Sequence, residues 1–133
     1  MSESNQVVLS FSHIVFDQVS FKRLGFRQPD DQGVSVNMSY SIRRGDVNQY
    51  CVTLNLQATK ENEYEMSVQI TGYCEIDDNH PGKDVILREN AAAILYPYVR
   101  SEVSLLTAQP ETTPLVLPVA NIHEMMKRDN SNH

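Results

Sequence analysis

Hydrophobic and polar residues alternate strictly through the middle of this chain. The alternation covers three runs: VSVNMSYSI at 34–42, YCVTLNLQA at 50–58 and YEMSVQI at 64–70. A period of two places alternate side chains on opposite faces of a strand, and the short polar stretches RRGD and KENE separate the runs. The pattern predicts an antiparallel meander with one apolar face. The other face is rich in Ser, Asn, Thr and Gln, which fits either a solvated face or a partly covered one.

An earlier run, VVLSFSHIVFDQVSF at 7–21, also has the composition of a strand, but the phase of its apolar residues changes along it. The apolar positions are odd, then even, then odd again: Val7, Leu9 and Phe11; Ile14 and Phe16; Val19 and Phe21. A β-bulge or burial on both faces explains such a change. The next stretch, KRLGFRQPDDQG at 22–33, is too long and too rich in Gly, Pro and Asp for a tight hairpin, so it predicts a crossover.

A helix follows the fourth strand and the polar turn DDNHPGKD. The stretch AAILYPYVRSEVSLLTAQP predicts an amphipathic helix that starts after Asn90 and carries Pro97 inside it. Its apolar stripe has a helical period and contains Ile94, Leu95, Tyr98, Val99, Val103, Leu105 and Leu106. The stripe is wide for a helix that covers one side of a sheet. Core packing alone or core packing with an added subunit contact explains it.

The chain then becomes extended and apolar. In QPETTPLVLPVAN at 109–121, Pro114 and Pro118 exclude a helix or a central strand. The large apolar residues from position 115 to 122 must pack against the sheet, another subunit or a ligand: Leu115, Val116, Leu117, Val119 and Ile122. IHEMMKRD at 122–129 allows at most two helical turns. The predicted fold is α+β: a four-stranded antiparallel sheet with a long crossover after strand one, backed by one long helix and a short C-terminal helix. Residues 1–133 form one domain, with flexible ends at 1–6 and 128–133.

Charge and composition exclude several classes of function. The chain has 133 residues and a formal net charge of −6, and no cluster of Lys and Arg stands out. This argues against binding to nucleic acid. No apolar run approaches the roughly 20 residues that span a bilayer, and the start has no secretory pattern. We therefore expect a cytoplasmic protein without membrane insertion.

The two cysteines are predicted to be free thiols. If Leu54 and Leu56 lie opposite Ile70 and Val68, Cys51 points to the polar face and Cys74 to the apolar face of the sheet. Side chains on opposite faces cannot form a disulfide. Free thiols fit a reducing compartment.

The sequence contains no recognisable catalytic motif. The four histidines have no metal-ligand spacing, and no nucleophile elbow or phosphate-binding loop occurs. EIDDNH at 75–80 supplies oxygen ligands for a divalent cation or, more simply, a turn. We therefore predict no catalytic residue, no cofactor and no metal, and we expect a protein that is not an enzyme.

Two segments of the chain resemble a known family. ILYPYVRSEV at 94–103 resembles the helix signature of the SecB family of export chaperones, and PLVLPVANI at 114–122 resembles the segment that follows it there. The order and spacing of both blocks agree, and IVFDQVSF at 14–21 is similar to the first strand of that family. The proline inside the helix belongs to the same signature.

The resemblance implies a chaperone that holds unfolded or client polypeptides in apolar grooves without ATP. It implies a homo-oligomer, a dimer of dimers, in which the long helices lie between the sheets. The implied polypeptide-binding residues are Phe21, Leu24, Phe26, Leu115, Leu117, Val119 and Ile122. The implied interface residues are Ile94, Leu95, Tyr98, Val99, Leu105 and Leu106.

The chain also departs from the family. Gln18 and Lys22 stand where members that deliver cargo to the SecA motor carry acidic residues, and the segment after Ile122 is short. Both differences argue against SecA as a partner and against classical protein export. A chaperone dedicated to one client, such as an antitoxin of a toxin–antitoxin system, is the alternative. Two further alternatives are not chaperones. One is a small α+β domain that binds one ligand or performs an unrecognised reaction in its cavity, and the other is a structural subunit that uses its apolar loop only for assembly.

Overall fold

The structure, a computed structural model, describes residues 8–119 of the chain. These residues form one antiparallel sheet with a helical segment packed on one of its faces. The strands are β1 (Ser10–Arg23), β2 (Ser35–Arg44), β3 (Gln49–Lys60) and β4 (Tyr64–Glu75). The helical parts are a 3-10 turn (Asp30–Gln32), α1 (Lys83–Val85), a π-helical turn (Ile86–Asn90) and α2 (Ala91–Leu106).

The strand order is β1-β4-β3-β2, so the last three strands form a meander and β1 joins it through a crossover. This arrangement confirms the predicted fold class. The predicted short C-terminal helix and the predicted flexible ends lie outside the described residues. No helix among residues 8–119 is long and apolar enough to cross a membrane.

The register of the meander is the one that the alternation predicts. Two pairs on its apolar face are fully buried: Leu54 opposite Ile70, and Leu56 opposite Val68. Cys51 and Cys74 consequently point to opposite faces, and both are free. The prediction of two unpaired thiols is confirmed.

Strand β1 contains the irregularity that its changing phase predicts. Its pairing with β4 shifts register between Phe11 and His13, and again between Phe16 and Gln18. Gly72 on β4 has a specific role beside the first shift, since a Cβ atom there would lie 2.3 Å from the ring of Phe11. Only glycine therefore lets the Phe11 ring pack closely against the neighbouring strand.

The helical segment begins earlier than predicted. α2 itself starts after Asn90 as predicted, but two short helical elements that were not predicted precede it and extend the helical segment back to Lys83. These early turns bury Leu87 in the core. The burial of this apolar side chain stabilises the turns, although the polar sequence before them gave no sign of a helix. Pro97 lies inside α2 as predicted. Pro97 and Ala93, whose carbonyl loses its helical partner, are both exposed, so water can satisfy that carbonyl.

Candidate functional site

The crossover (residues 24–34) and the post-helix loop (residues 107–119) meet at one end of the sheet. Arg23, at the end of β1, joins them through its guanidinium group. That group donates to the carbonyl of Gly25 at 2.8 Å, of Glu111 at 2.9 Å and of Pro110 at 3.2 Å, and also to the hydroxyl of Thr112. The planar, multi-donor guanidinium suits this set of acceptors better than a lysine would.

Glu63, in the turn between β3 and β4, makes a second connection between the same two segments. Its side chain is fully buried. The carboxylate accepts from the backbone N–H of Gln28 at 2.8 Å, from the N–H of Thr113 at 2.5 Å and from the Thr113 hydroxyl at 2.9 Å. Its backbone carbonyl accepts from the N–H of Leu24 at 2.8 Å. Burial raises the pKa of Glu63, but these hydrogen bonds and the nearby charge of Lys60 outweigh it, so the pKa lies below its usual value.

Two further side chains complete the connection. Lys60 is fully buried, and its ammonium group donates to the carbonyl of Pro29 at 2.7 Å. The hydroxyl of Tyr64 donates to the carbonyl of Thr113 at 3.0 Å. Burial, and then the charge of Glu63, raises the pKa of Tyr64 to about 12, which keeps this donor protonated. We call Arg23, Lys60, Glu63 and Tyr64 the polar clamp.

The second half of the post-helix loop runs back along α2. Side chains near and on the helix hold its backbone: the Thr107 hydroxyl accepts from the N–H of Leu115 at 3.0 Å, Arg100 donates to the Leu117 carbonyl at 2.9 Å, and Tyr96 donates to the Pro118 carbonyl at 2.6 Å. Side chains at positions 114–118 of this extended backbone alternate between inward and outward: Leu117 points into the core, whereas Val116 points outward. The alternation ends at Val119, which is exposed although it lies two residues after Leu117.

The predicted polypeptide-binding residues fall into three groups. Leu24, Phe26 and Val119 are exposed, and the exposed fraction reaches 76% for both Phe26 and Val119. Phe21 and Leu115 are half-buried, and the Phe21 ring lies 5.3 Å from the Tyr64 ring. Leu117 is only 3% exposed and belongs to the core. Its prediction as a binding residue is corrected, because a side chain that fills the core cannot reach a client. Ile122 lies outside the described residues.

The predicted interface residues also separate, because the wide stripe on the helix covers two faces. Ile94, Tyr98 and Leu105 are exposed on the side away from the sheet. Leu95 and Val99 are fully buried in the protomer's own core, which corrects their prediction as interface residues. Leu106 is half-buried against the same core. The sequence reasoning merged the core-facing and outward-facing residues of one helix.

Sequence reasoning missed the polar clamp. Arg23 and Lys60 are ordinary charged residues at strand ends, and Glu63 stands in the polar turn KENE. Nothing local distinguishes Glu63 from the exposed Glu61. The crossover and the post-helix loop, which both contact this turn, bury Glu63 and leave Glu61 exposed. A residue placed by contacts 35 to 50 positions away leaves no periodic signal.

The EIDDNH segment acts as a turn that anchors the opposite end of the sheet. Asp78 accepts from Arg44 at 2.5 Å, from the Tyr50 hydroxyl, and from the N–H of Asn48 at 3.0 Å. In that order, these hydrogen bonds hold the pKa of Asp78 well below its usual value. This carboxylate is therefore occupied by protein donors. Within residues 8–119 no three metal-ligating side chains lie together.

A cavity of about 380 Å³ lies near that end, lined by residues that include His13, Tyr50, Cys51 and Cys74. Burial, and then the neighbouring Cys51, raises the pKa of Cys74 to about 11. The Cys74 thiol is therefore protonated at neutral pH and is a poor nucleophile.

Comparisons with known proteins agree with the fold. No family model matches the chain. The uncharacterized protein MJ0357 of Methanocaldococcus jannaschii is 26% identical over 135 residues, which is 95% of this chain and 87% of that protein. Among solved structures, the SecB-like chaperone Rv1957 of Mycobacterium tuberculosis, in complex with a ChAD peptide from the antitoxin HigA1, has a TM-score of 0.67 at 14% identity. The match covers 85% of this chain and 91% of that one. The chain has a SecB-like fold, as its motifs predicted.

Proposed function

We propose that this protein is an ATP-independent molecular chaperone that binds unfolded polypeptides on the apolar side chains of the crossover and the post-helix loop. The observation that carries the proposal is the pairing of a SecB-like fold with exposed Leu24, Phe26, Val116 and Val119 on these two segments. Large apolar side chains that a protomer leaves uncovered mark interaction sites. The free cysteines favour a reducing compartment such as the cytoplasm.

Apolar burial suits a client without a fixed sequence. The gain from burial is non-directional, at roughly 25 cal/mol per Å². Covering a side chain such as Phe26 can therefore contribute roughly 1.5–3 kcal/mol, against about 1.4 kcal/mol for each tenfold change in affinity. Since no phosphate-binding loop occurs in the sequence, we expect this binding to need no nucleotide.

We further propose that the protein assembles as a dimer of dimers. Such an assembly needs two different self-complementary interfaces. One candidate is the outward side of α2, with Ile94, Tyr98 and Leu105 exposed. The other is β1, an edge strand that exposes Phe16 and Val19. Unprotected apolar edges favour pairing with another chain.

A chaperone dedicated to one client, such as an antitoxin, is the second candidate. It is favoured because the chaperone with the matching fold was solved with a peptide from an antitoxin. A dedicated chaperone should bind one peptide much more tightly than a generic unfolded protein. Titration of both kinds of ligand would separate the two functions. We do not assign SecA as a partner, because Gln18 and Lys22 supply no acidic patch.

The test is suppression of aggregation in the absence of ATP. The variant Phe26→Ser with Val119→Ser changes two exposed residues of the proposed site. The matched control is Val47→Ser, which removes an equally accessible side chain (71% exposed) from the turn at the other end of the sheet. We expect the double variant to weaken binding of an unfolded polypeptide at least about tenfold, with an unchanged melting temperature. Unchanged binding in the double variant, or equal loss in the control, would contradict the proposed site.

A further inference from the structure

The hydrogen bonds between the polar clamp and the crossover involve mainly the main chain of the crossover. Arg23 and Lys60 donate to the carbonyls of Gly25 and Pro29. Glu63 accepts from the backbone N–H groups of Leu24 and Gln28. The clamp therefore fixes the backbone of this segment while the apolar side chains it carries stay uncovered.

We propose that Arg23 and Glu63 are positioning residues of the client site. They hold the crossover and the post-helix loop in one fixed arrangement, so that Leu24 and Phe26 are presented by a backbone that is already ordered before a client binds. This inference rests on the proposed chaperone function and names the residues that make its binding surface rigid. A preformed surface avoids the ordering cost that a mobile loop would pay on binding.

The Glu63 carboxylate matches its surroundings in a way that glutamine cannot. Three donors converge on its two oxygens: one from Gln28 and two from Thr113. A glutamine has only one acceptor oxygen, and its NH2 group would face at least one of these donors. Glu63→Gln preserves size but sets a donor against a donor in a buried place, which costs more than the loss of one hydrogen bond.

Gly25 provides an independent reason for a fixed crossover. A Cβ atom at this position would lie 2.5 Å from the carbonyl oxygen of Asn62. The crossover backbone is thus pressed directly against the turn between β3 and β4, next to Glu63. Gly25→Ala should push the crossover outward without altering any charged group. It offers a second way to loosen the same arrangement.

The chain contains no tryptophan, so Phe26→Trp creates a single reporter at the proposed site. In this background we would compare Glu63→Gln, Gly25→Ala and Arg23→Lys with the matched control Glu61→Gln, an exposed residue of the same turn. Two quantities would be measured well below the melting temperature. They are the fluorescence anisotropy of the introduced indole in the free protein, and the Kd for reduced, carboxymethylated lactalbumin as a permanently unfolded ligand.

We expect Glu63→Gln and Arg23→Lys in the clamp, and Gly25→Ala beside it, to lower the anisotropy and to weaken lactalbumin binding about three- to tenfold, the cost of ordering a loosened segment. Glu61→Gln should change neither quantity. Arg23→Lys separates the effect of hydrogen-bond geometry from that of charge, since lysine keeps the positive charge but lacks the planar guanidinium with its several N–H donors.

Each outcome is informative. Lower anisotropy with unchanged Kd in the clamp variants would overturn the positioning role while leaving the chaperone function intact. Unchanged anisotropy would show that the clamp does not order the crossover. If neither the wild-type protein nor the Phe26→Trp parent binds lactalbumin, the proposed function fails, and the anisotropy comparison still decides whether the clamp orders the segment. Should Glu63→Gln unfold, Arg23→Lys carries both measurements for the clamp, and Gly25→Ala shows independently whether a loosened crossover binds more weakly.

Discussion

Leu117 and Val116 are adjacent in the sequence, yet the structure gives them opposite roles. The side chain of Leu117 fills the core, whereas that of Val116 points to solvent. Both lie in an extended segment whose backbone is held by side chains of the helix. Two prolines and an apolar composition predicted that the segment packs against something. They could not predict which alternate residues face inward, because that depends on the hydrogen bonds from Tyr96 and Arg100.

The two residues give a direct test of this alternation. Leu117→Ala should reduce the free energy of unfolding by roughly 2–5 kcal/mol, because it leaves a cavity in a packed core. Val116→Ala should change it by no more than about 0.5 kcal/mol. Urea unfolding followed by circular dichroism measures both values. Similar losses for the two variants would mean that the segment does not alternate as described.

Two carboxylates predict how stability depends on pH. The folded-state pKa values of Glu63 and Asp78 are both lowered. A carboxylate with a lowered pKa in the folded state stabilises the protein fully above its ordinary value near 4, and this contribution is lost as the pH falls towards the folded-state value. The free energy of unfolding should therefore be flat from pH 7 to about 5 and fall steeply below about 4.

Substitution separates this effect from general acid denaturation. Asp78→Asn should lower stability at pH 7 and flatten the decrease below pH 4, because the group that titrates is gone. Asp46→Asn, at an exposed position of the β2–β3 turn, is the matched control. Urea unfolding at a series of pH values measures the slopes. An Asp78→Asn protein with the wild-type slope would contradict the role assigned to this carboxylate.

At the scale of elements, the sequence predicted whatever follows from a local period. The alternation in β2, β3 and β4 fixes both the faces and the register, because a shift of one residue would turn every apolar side chain to solvent. The change of phase in β1 left a β-bulge and burial on both faces as alternatives, and the two register shifts against β4 correspond to the bulge. The crossover was predicted from composition, since a stretch with two glycines, a proline and two aspartates cannot form a tight hairpin.

The helical segment shows what a local sequence pattern does not predict. Its early turns, from Lys83 to Asn90, follow a polar stretch with Pro81 and Gly82, so local propensity favours a turn there. The burial of Leu87 against the sheet overrides that propensity. The local pattern likewise does not predict which side of α2 faces outward. A stripe that is apolar on both sides of the helix cannot be divided into core and surface until the position of the sheet is known.

At the scale of the whole molecule, the core lies on one face of the sheet, but several apolar side chains among residues 8–119 lie uncovered elsewhere. Three groups of them bear on assembly and binding: those on the edge strand β1, on the outward side of α2, and on the crossover with the post-helix loop. A stable oligomer buries about 1,200–2,000 Å² in each interface, so assembly can cover the first two groups. In the proposed assembly, the third group then remains available for a client.

This division of the surface predicts how two kinds of helix variant differ. Tyr98→Asp places a charge on the outward side of α2, where burial of an unpaired charge opposes association. We expect it to convert tetramers to dimers while the protomer stays folded. Leu95→Asp places the same charge in the fully buried core, so it should unfold the protomer.

Val47→Asp, at the exposed turn between β2 and β3, is the surface control and should leave both assembly and folding unchanged. Multi-angle light scattering and circular dichroism together distinguish the three results. A wild-type protein that is monomeric at micromolar concentration, or a Tyr98→Asp protein that remains tetrameric, would remove the helix face from the proposed assembly.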